Sequence, residues 1–459
     1  MPMASVVLNV GQRQTHNWHE EQTPAQGNPL SCTTQGPPPS MNQIKLGTRT
    51  YDGASVYIDE IARGRHTYIS GQTGTGKSAL LRNIAAQIAI AGEGLAFFDP
   101  HGDIASELLT DIPRWRAHEL CIIDLADLSA SVGLNFLAEK DPNKRALRVD
   151  NIVQSFVSIF GETAVGDRSQ ALLRNSLLAL MAGEGHSLLS VVLLLRDDKF
   201  RDKRIAKVTD PLVKSYWLDE FQNYDPRFRE QVTGPILNKL DAVLSHPALR
   251  NALSQPTCSV NFRQLIDEKR ILIVQLRKGT IGEQASKLMG NLIFAEIMRA
   301  ALSRDDIPEN ERVQFDCIID EVQNVVTTDT ETVLSEARKY RLNLTLANQF
   351  LDQIPDHVLS AIFGNVGTYI AFRSGADDAV VLNKQYQGKG PSQFLDLPNF
   401  HARMRPFTNG APEDAVEIRT DPPPVPLHHR PDKLIDNSRI RFATPRSDIE
   451  KHIDQLFAS

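Results

Sequence analysis

The sequence predicts an α/β fold built on a mostly parallel sheet, with an all-helical segment inserted into it. Short, nearly continuous apolar runs at residues 67–70, 95–99 and 271–276 alternate with helical patterns. Runs of this kind are typical of parallel strands that are covered on both faces. A glycine-rich loop follows the first run directly. Between about residues 141 and 260 only helical periodicity is visible, so this stretch interrupts the alternation of strands and helices.

These patterns divide the chain into five segments. The first is rich in Pro, Gln, Gly, Ser and Thr and lacks periodicity, which is typical of disorder. The predicted segments are a disordered stretch (1–42), the first part of the α/β core (43–140), the helical insertion (141–260), the second part of the core (261–420), and a Pro-rich linker with a short terminal helix (421–459).

The composition limits the functions to be considered. The 459 residues carry a formal net charge of −6, so any contact with nucleic acid is expected in a local patch or channel, not over a basic outer surface. The four cysteines form no C-x-x-C pair, which argues against a structural zinc site. No apolar run reaches about 18 residues and no signal peptide is visible, so the sequence predicts a soluble, cytoplasmic protein that does not insert into a membrane.

Residues 71–78 match the phosphate-binding pattern G-x-x-x-x-G-K-[ST]. Glycines let such a loop curl so that its amides face phosphate groups, and the following helix adds positive potential. Lys77 is expected to reach the β- and γ-phosphates, and Ser78 to ligate Mg²⁺. We therefore predict a site for ATP and Mg²⁺ formed by Gly71, Thr73, Gly74, Thr75, Gly76, Lys77, Ser78 and Ala79.

A pair of acids at the end of a later strand completes the predicted site. Asp320 is expected to bind Mg²⁺, and Glu321 to polarise the attacking water. Two adjacent acids are costly to bury unless a metal or substrate compensates them. Asp124 also ends an apolar run, but Leu follows it and it precedes the helical insertion, so it ranks second.

A third group of candidate residues lies between residues 328 and 349. Thr328 and Glu331 have the spacing of a capping box, and the helix that they would start carries Arg338. An arginine in this position can stabilise transition-state charge on the nucleotide of a neighbouring subunit. An exposed helix charge is an equally good interpretation of Arg338 alone. Gln349 follows the strand of residues 342–348, within reach of a γ-phosphate or the attacking water.

Taken in order, these motifs resemble the HerA–FtsK superfamily and, within it, the TraG/TraD-like coupling proteins of conjugation and type IV secretion. The specific parts are the Asp-Pro-His-Gly-Asp turn at 99–103 and the segment Ala-Arg-Lys-Tyr-Arg to Ala-Asn-Gln at 337–349. The resemblance covers about residues 45–420. It implies a RecA-like ASCE P-loop core, a hexameric ring with ATP at the subunit interfaces, and DNA in a central channel.

The resemblance also implies roles for individual residues and partners. Arg338 matches an arginine offered in trans, Gln349 a glutamine sensor, and Arg373 an arginine at the end of a later strand that contacts nucleotide. The predicted function is an ATP-driven DNA translocase whose partner is a nuclease, a relaxase or a secretion component. Two alternatives stay open: a secretion-type ATPase that moves protein, and a nucleotide-gated ring that scaffolds an effector. For Asp99, His101 and Asp103, ligand contact and simple locking of the turn are both open.

Overall fold

A computed structural model of the chain describes residues 43–325, 330–388, 390–408 and 410–458, with only the backbone given for residues 330–332. The predicted disordered segment at 1–42 and the predicted capping box of Thr328 and Glu331 lie outside these described parts.

The strands and helices follow in chain order. The strands are β1 (Gln43–Arg49), β2 (Ser55–Asp59), β3 (Thr67–Ser70), β4 (Gly94–Asp99), β5 (Leu120–Asp124), β6 (Ala130–Val132), β7 (Ile271–Gln275), β8 (Phe315–Ile319), β9 (Leu342–Asn348), β10 (Thr368–Ala371), β11 (His401–Arg405), β12 (Phe407–Thr408), β13 (Ala411–Pro412), β14 (Val416–Thr420) and β15 (Ala443–Pro445). The helices are α1 (Glu60–Arg63), α2 (Lys77–Ile90), α3 (Asp103–Leu108), α4 (Arg145–Phe160), α5 (Asp167–Met181), α6 (Leu188–Arg196), α7 (Asp198–Ile205), α8 (Pro211–Ser215), α9 (Pro226–Leu244), α10 (Pro247–Leu253), α11 (Phe262–Asp267), α12 (Lys278–Ile281), α13 (Glu283–Leu302), α14 (Thr330–Ala337), α15 (Asp356–Asn365), α16 (Ala376–Gln385), α17 (Ser392–Leu395), α18 (Pro431–Phe442) and α19 (Arg446–Ala458).

Most strands belong to one 11-stranded sheet of order β2-β1-β14-β11-β10-β3-β9-β8-β4-β7-β5. The seven strands from β10 to β5 in that order are parallel, as the apolar runs predict. The other four extend the sheet in antiparallel fashion beyond β10. β11 and β14 were not predicted, because their short stretches have the alternating burial of a half-covered sheet and no continuous apolar run.

Each face of the sheet has its own apolar core, because successive side chains of a strand point to opposite faces. On one face, residues such as Ile69, Phe97 and Ile273 pack with α2, α3 and Leu434 of α18. On the other face, Phe98 and Ile319 pack with α13 and with the helices of the insertion. The inserted helices α4 to α11 therefore share a core with the sheet.

Between β6 and β7 the described chain is helical, as predicted. Aspartates start several of these helices: the side chains of Asp197, Asp210 and Asp225 accept hydrogen bonds from amides of the first turns of α7, α8 and α9. The C-terminal segment contains more structure than the single helix predicted. Its strand β15 pairs with β6, and α18 packs against β5 at the edge of the sheet. No helix in the described ranges is both long and apolar enough to cross a bilayer.

His66, just before β3, ties the strand that leads to the glycine-rich loop to its neighbours. Its backbone is left-handed (φ 61°) and its side chain is buried. Nε2 lies 2.9 Å from the carbonyl oxygen of Leu334, and Nδ1 accepts a hydrogen bond of 3.0 Å from the backbone N–H of Leu344. These contacts require a neutral ring that carries its proton on Nε2. Burial lowers the pKa of His66 to about 4.

We expect the free energy of unfolding to fall between about pH 7 and about pH 5, partly because of His66. The unfolded chain has the ordinary histidine pKa of about 6.5. Between this value and the folded pKa of about 4, the unfolded state binds more protons, so acid destabilises the fold, by about 2 kcal/mol at pH 5. Urea titrations at the two pH values measure the loss. His66→Asn, which tolerates the left-handed backbone, should lose less; an equal loss in both proteins would contradict this assignment.

Candidate nucleotide-binding site

The carboxyl ends of the parallel strands bring the predicted site residues to one edge of the sheet. β3 runs into the glycine-rich loop, β8 ends just before Asp320 and Glu321, and β9 ends just before Gln349. Because β9 lies between β3 and β8, all three sets of residues meet at that edge. Open parallel sheets bind their ligands at this edge.

The loop between β3 and α2 adopts a conformation that its glycines permit. Gly71 and Gly76 have φ angles of 156° and 117°, which side-chain-bearing residues rarely adopt. A Cβ atom on Gly76 would also lie 3.0 Å from Cδ1 of Phe400. Thr75 is buried, and its hydroxyl donates a hydrogen bond of 2.7 Å to the carbonyl of Gln72. Thr75 therefore closes the loop on itself with its side chain.

Lys77, the first residue of α2, lies between the two predicted acids. Its Nζ is 3.0 Å from Oδ1 of Asp320 and 2.9 Å from Oε1 of Glu321. Lys77 and Asp320 are both buried. The spacing in sequence is more than 240 residues, so the parallel sheet alone brings these three groups together.

The three groups shift one another's proton affinities. Burial by itself would lower the pKa of Lys77, but the two carboxylates outweigh it and raise that pKa. Burial raises the pKa of Asp320, and Lys77 offsets this only in part. Burial also acts upward on Glu321, yet Lys77 and a hydrogen bond from Gln323 bring its pKa below the ordinary value. Glu321 is therefore ionised at neutral pH and able to accept a proton.

Glu321 is fixed in an unusual conformation. Its backbone is left-handed, with φ 49° and ψ 64°, a conformation that costs free energy for a residue with a long side chain and is often found at functional sites. Nε2 of Gln323 donates hydrogen bonds to Oε2 of Glu321 at 2.8 Å and to Oε1 of Gln353 at 2.7 Å. Gln323 thus fixes Oε2 of the carboxylate, while Oε1 faces Lys77.

The loop and the acids enclose a cavity of about 470 Å³, within the range of small-molecule sites. It is lined by Gln72, Thr73, Gly74, Gly76, Lys77, Ser78, Ala79, Arg82, Asp99, His101, Asp103, Ile104, Glu107, Asp320, Glu321, Gln349, Phe400 and Pro423. The structure thus brings most of the predicted loop residues together with both acids and Gln349. Gly71 and Thr75 lie in the loop behind this wall. Six lining residues were not predicted from the sequence: Gln72, Arg82, Ile104, Glu107, Phe400 and Pro423.

In the Asp-Pro-His-Gly-Asp turn, different residues are placed for the two roles that the sequence left open, which are locking of the turn and contact with a ligand. Asp99 is buried, and its carboxylate accepts hydrogen bonds of 2.9 Å from the backbone N–H groups of His101 and Ala105. It locks the turn and the start of α3, although it also touches the cavity wall. The side chains of His101 and Asp103 are exposed on that wall, so they are the members of the turn available to a ligand.

Asp124, the alternative acid, lies elsewhere. Its carboxylate pairs with Arg277, with Nη2 3.1 Å from Oδ2. Both residues line a separate cavity of about 180 Å³ between β5 and α18. The structure therefore favours Asp320 over Asp124 as the acid of the nucleotide site.

Arg338 lies near the amino end of β9, at the opposite end of the parallel strands from the nucleotide cavity. The predicted helix reaches Arg338 only through its last turn: α14 ends at Ala337, and Arg338–Tyr340 continue it as a 3₁₀ turn. The turn leads into β9, whose 7 residues span about 20 Å. The exposed side chain of Arg338 therefore cannot reach a nucleotide in the cavity of its own chain.

Arg373, after β10, supports the loop from outside the cavity. Its guanidinium donates hydrogen bonds to the carbonyl of Leu397 at 3.4 Å and to Oδ1 of Asn399 at 3.1 Å. Its own carbonyl accepts a hydrogen bond of 3.0 Å from the N–H of Gln72. A direct nucleotide contact by Arg373 stays a prediction.

The donor set of the cavity fits Mg²⁺ bound together with phosphate. Among the described residues no group of three or more His, Cys, Asp or Glu could hold a metal. Mg²⁺ commonly takes one or two carboxylates, with substrate phosphates and water supplying its other ligands. The exposed hydroxyl of Ser78 and the carboxylate of Asp320 face the same cavity and suit that mode.

The fold and the site define a P-loop NTPase with a RecA-like α/β core. Residues 44–297 match the model of the family described as helicase HerA, central domain. This match spans more than half of the chain, which therefore belongs to that family. No curated protein gives a significant match.

Several solved structures share this fold. The bacterial conjugative coupling protein TrwBΔN70 is 16% identical, with a TM-score of 0.57 over 83% of this chain and 90% of that one. TrwB bound to the ATP analogue ADPNP is also 16% identical, with a TM-score of 0.57 over 85% of this chain and 92% of that one. VirB4 of Thermoanaerobacter pseudethanolicus is 13% identical, with a TM-score of 0.59 over 84% of this chain and 99% of VirB4. The predicted fold class is confirmed.

Proposed function

We propose that this chain is a Mg²⁺-dependent ATPase that assembles into a hexameric ring in the cytoplasm and moves DNA through a central channel. The observation that carries the proposal is the position of Lys77, within 3.0 Å of both Asp320 and Glu321 in the cavity that also contains Gln349. The nucleotide complexes of TrwB, one with ADP and Mg²⁺ and one with ADPNP, support ATP and Mg²⁺ as ligands.

Each group has a distinct role in the proposed hydrolysis. Lys77 exchanges its carboxylate partners for the β- and γ-phosphates. Ser78 and Asp320 would hold Mg²⁺, which would neutralise charge on the phosphates. Oε1 of Glu321, released from Lys77, accepts the proton of the attacking water, while Gln323 continues to hold Oε2. Gln349 senses the γ-phosphate, and Arg338 acts on the nucleotide of the next subunit.

One relative by fold supports a polymer-moving role. TrwB is a plasmid coupling protein of conjugation, which supports DNA as the transported polymer and a relaxase, nuclease or secretion component as partner. A net charge of −6 requires that basic residues be concentrated along the channel. Protein transport and a nucleotide-gated scaffold would use the same hydrolytic residues, so the polymer must be identified by experiment.

Steady-state ATP hydrolysis, with and without duplex and single-stranded DNA, tests the proposal. The assay needs protein concentrations at which sedimentation detects the assembled ring, with Lys77→Ala as the blank. Stimulation by DNA is the expected result. A robust rate that ignores DNA would instead favour protein transport or a gated scaffold. Absence of ATP hydrolysis by an assembled ring would overturn the ATPase assignment.

A further inference from the structure

Phe400 is held in a strained backbone conformation beside the glycine-rich loop. Its φ angle is 63°, which is unfavourable for a bulky side chain. Hydrogen bonds fix this conformation from two sides. Its N–H donates to the carbonyl of Thr75 at 2.6 Å, and its own carbonyl accepts from the N–H of Thr420 at 2.8 Å.

The strained backbone directs an aromatic ring toward the cavity. The side chain of Phe400 lines the nucleotide cavity and is 39% exposed. Only part of its surface packs on the loop, where Cδ1 would meet a Cβ atom on Gly76 at 3.0 Å. The exposed part of the ring is available to a ligand in the cavity, and ligand pockets typically combine aromatic walls with a small number of polar groups.

Pro423 extends this apolar wall along α2. The segment that follows β14 is bound to α2 through Asn83, whose Nδ2 donates hydrogen bonds to the carbonyls of Asp421 (3.1 Å) and Pro422 (2.8 Å). The next residue, Pro423, lines the cavity together with Arg82. Arg82 is five residues beyond Lys77, about 7.5 Å further along the helix axis.

The cavity therefore has two chemically different ends. At one end, the glycine-rich loop and the amino end of α2 receive the phosphates, with Asp320 and Glu321 beside them. Along α2 away from Lys77, Arg82 and Pro423 form the wall. Phe400 lines the same cavity beside Gly76, and its carbonyl accepts the hydrogen bond from Thr420, three residues before Pro423. A nucleoside triphosphate whose phosphates lie on the loop has its base at this second end.

We propose that the nucleotide base stacks on the ring of Phe400, with Pro423 beside it, and that this contact supplies the base-dependent part of the affinity. The inference rests on the proposed nucleotide-binding function. Stacking on an aromatic ring accepts any base, because every base has a π-face. Purines offer more area than pyrimidines, so the site favours ATP and GTP over CTP and UTP.

Binding of the full chain to Mg²⁺ with ADPNP, compared with Mg²⁺ and tripolyphosphate, separates base from phosphate contacts. Phe400→Leu keeps apolar bulk against Gly76 but lacks a π-face, and Phe400→Tyr keeps both. We expect Phe400→Leu to weaken ADPNP binding by about tenfold or more and to leave tripolyphosphate binding unchanged. Phe400→Tyr should bind both as the wild type does. Competition by GTP, CTP and UTP should show a purine preference in the wild type that Phe400→Leu loses.

Three outcomes would overturn the inference. Unchanged ADPNP affinity in Phe400→Leu would mean that the base lies elsewhere. An equal loss for ADPNP and tripolyphosphate would mean that Phe400 only shapes the loop. A wild type that binds ADPNP no better than tripolyphosphate would mean that the base contributes no affinity. Failure of the proposed function gives a different pattern, in which the wild type and Lys77→Ala both fail to bind either ligand.

Discussion

Glu321→Gln should bind ATP and retain it, with turnover reduced by about 10²- to 10⁴-fold. Lys77→Ala should abolish turnover because it cannot hold the phosphates. Glutamine has the size and backbone tolerance of glutamate, so Lys77 keeps its second partner, Asp320, at 3.0 Å. The amide, however, cannot accept the proton of the attacking water. The phosphate contacts are unchanged, and the complex stalls before hydrolysis.

Lys77→Ala acts at an earlier step and also on stability. It leaves the carboxylates of Asp320 and Glu321 facing each other without the cation that separates them. Breaking a buried ion pair in this way lowers the free energy of unfolding by about 3–5 kcal/mol. Protonation of one of the two acids recovers part of this loss. Lys77→Ala should therefore unfold at lower temperature, and the double variant Lys77→Ala, Asp320→Asn should regain part of the loss.

Rapid filtration of labelled ATP, together with steady-state hydrolysis, distinguishes the two variants. Asp124→Asn is the matched control, since that acid pairs with Arg277 in a separate cavity and its loss should leave ATP turnover near the wild-type rate. Glu321→Gln that hydrolyses ATP at nearly the wild-type rate would refute the base assignment. Trapping of ATP by Asp124→Asn would move the assignment to that residue.

The parts of the site that are local in sequence were predictable, and their assembly followed from the topology of the sheet. The glycines of the loop that ends at Lys77 permit its conformation, and they are visible in the local sequence. Two acids at the end of an apolar run need no distant information to be noticed. Because both follow parallel strands, the rule that ligands bind at the carboxyl edge placed them together, and the distances from Lys77 agree.

Residues that enter the cavity from distant segments gave no such signal. Phe400 reaches the loop through one hydrogen bond to Thr75, more than three hundred residues earlier, and neither residue belongs to a motif that requires the other. Pro423 lies in a Pro-rich stretch that looks like a linker until Asn83 is seen to bind it. Within the turn at 99–103, composition alone could not predict that Asp99 is buried and locks the turn while His101 is exposed.

The second large effect is expected at Arg338, even though it lies outside the cavity of its own chain. Its 3₁₀ turn is held rigidly: Arg312 donates a hydrogen bond of 2.7 Å to the carbonyl of Lys339, and Arg304 donates one of 2.8 Å to that of Tyr340. His66 holds α14 just before it. An exposed charge on such a firmly anchored turn is well placed to meet a neighbouring subunit, since little conformational entropy of the backbone remains to be lost.

Arg338→Ala should lower turnover by about 10³-fold or more, as loss of an arginine that stabilises phosphoryl-transfer charge does, while ATP binding persists. Lys339→Ala is the matched control, because Lys339 is exposed on the same turn and pairs only at the surface with Glu336. It should leave the rate within about twofold, since surface ion pairs contribute little.

Mixing Arg338→Ala with Lys77→Ala separates action in trans from action within one chain. Each variant alone is inactive, but a mixed ring contains interfaces at which an intact lysine meets an intact arginine from the neighbour. Activity recovered on mixing, in proportion to those interfaces, requires that Arg338 act across the subunit boundary. If rings assemble by sedimentation and the mixture stays inactive, or if Arg338→Ala alone keeps the wild-type rate, the turn at the amino edge of the sheet has no catalytic role.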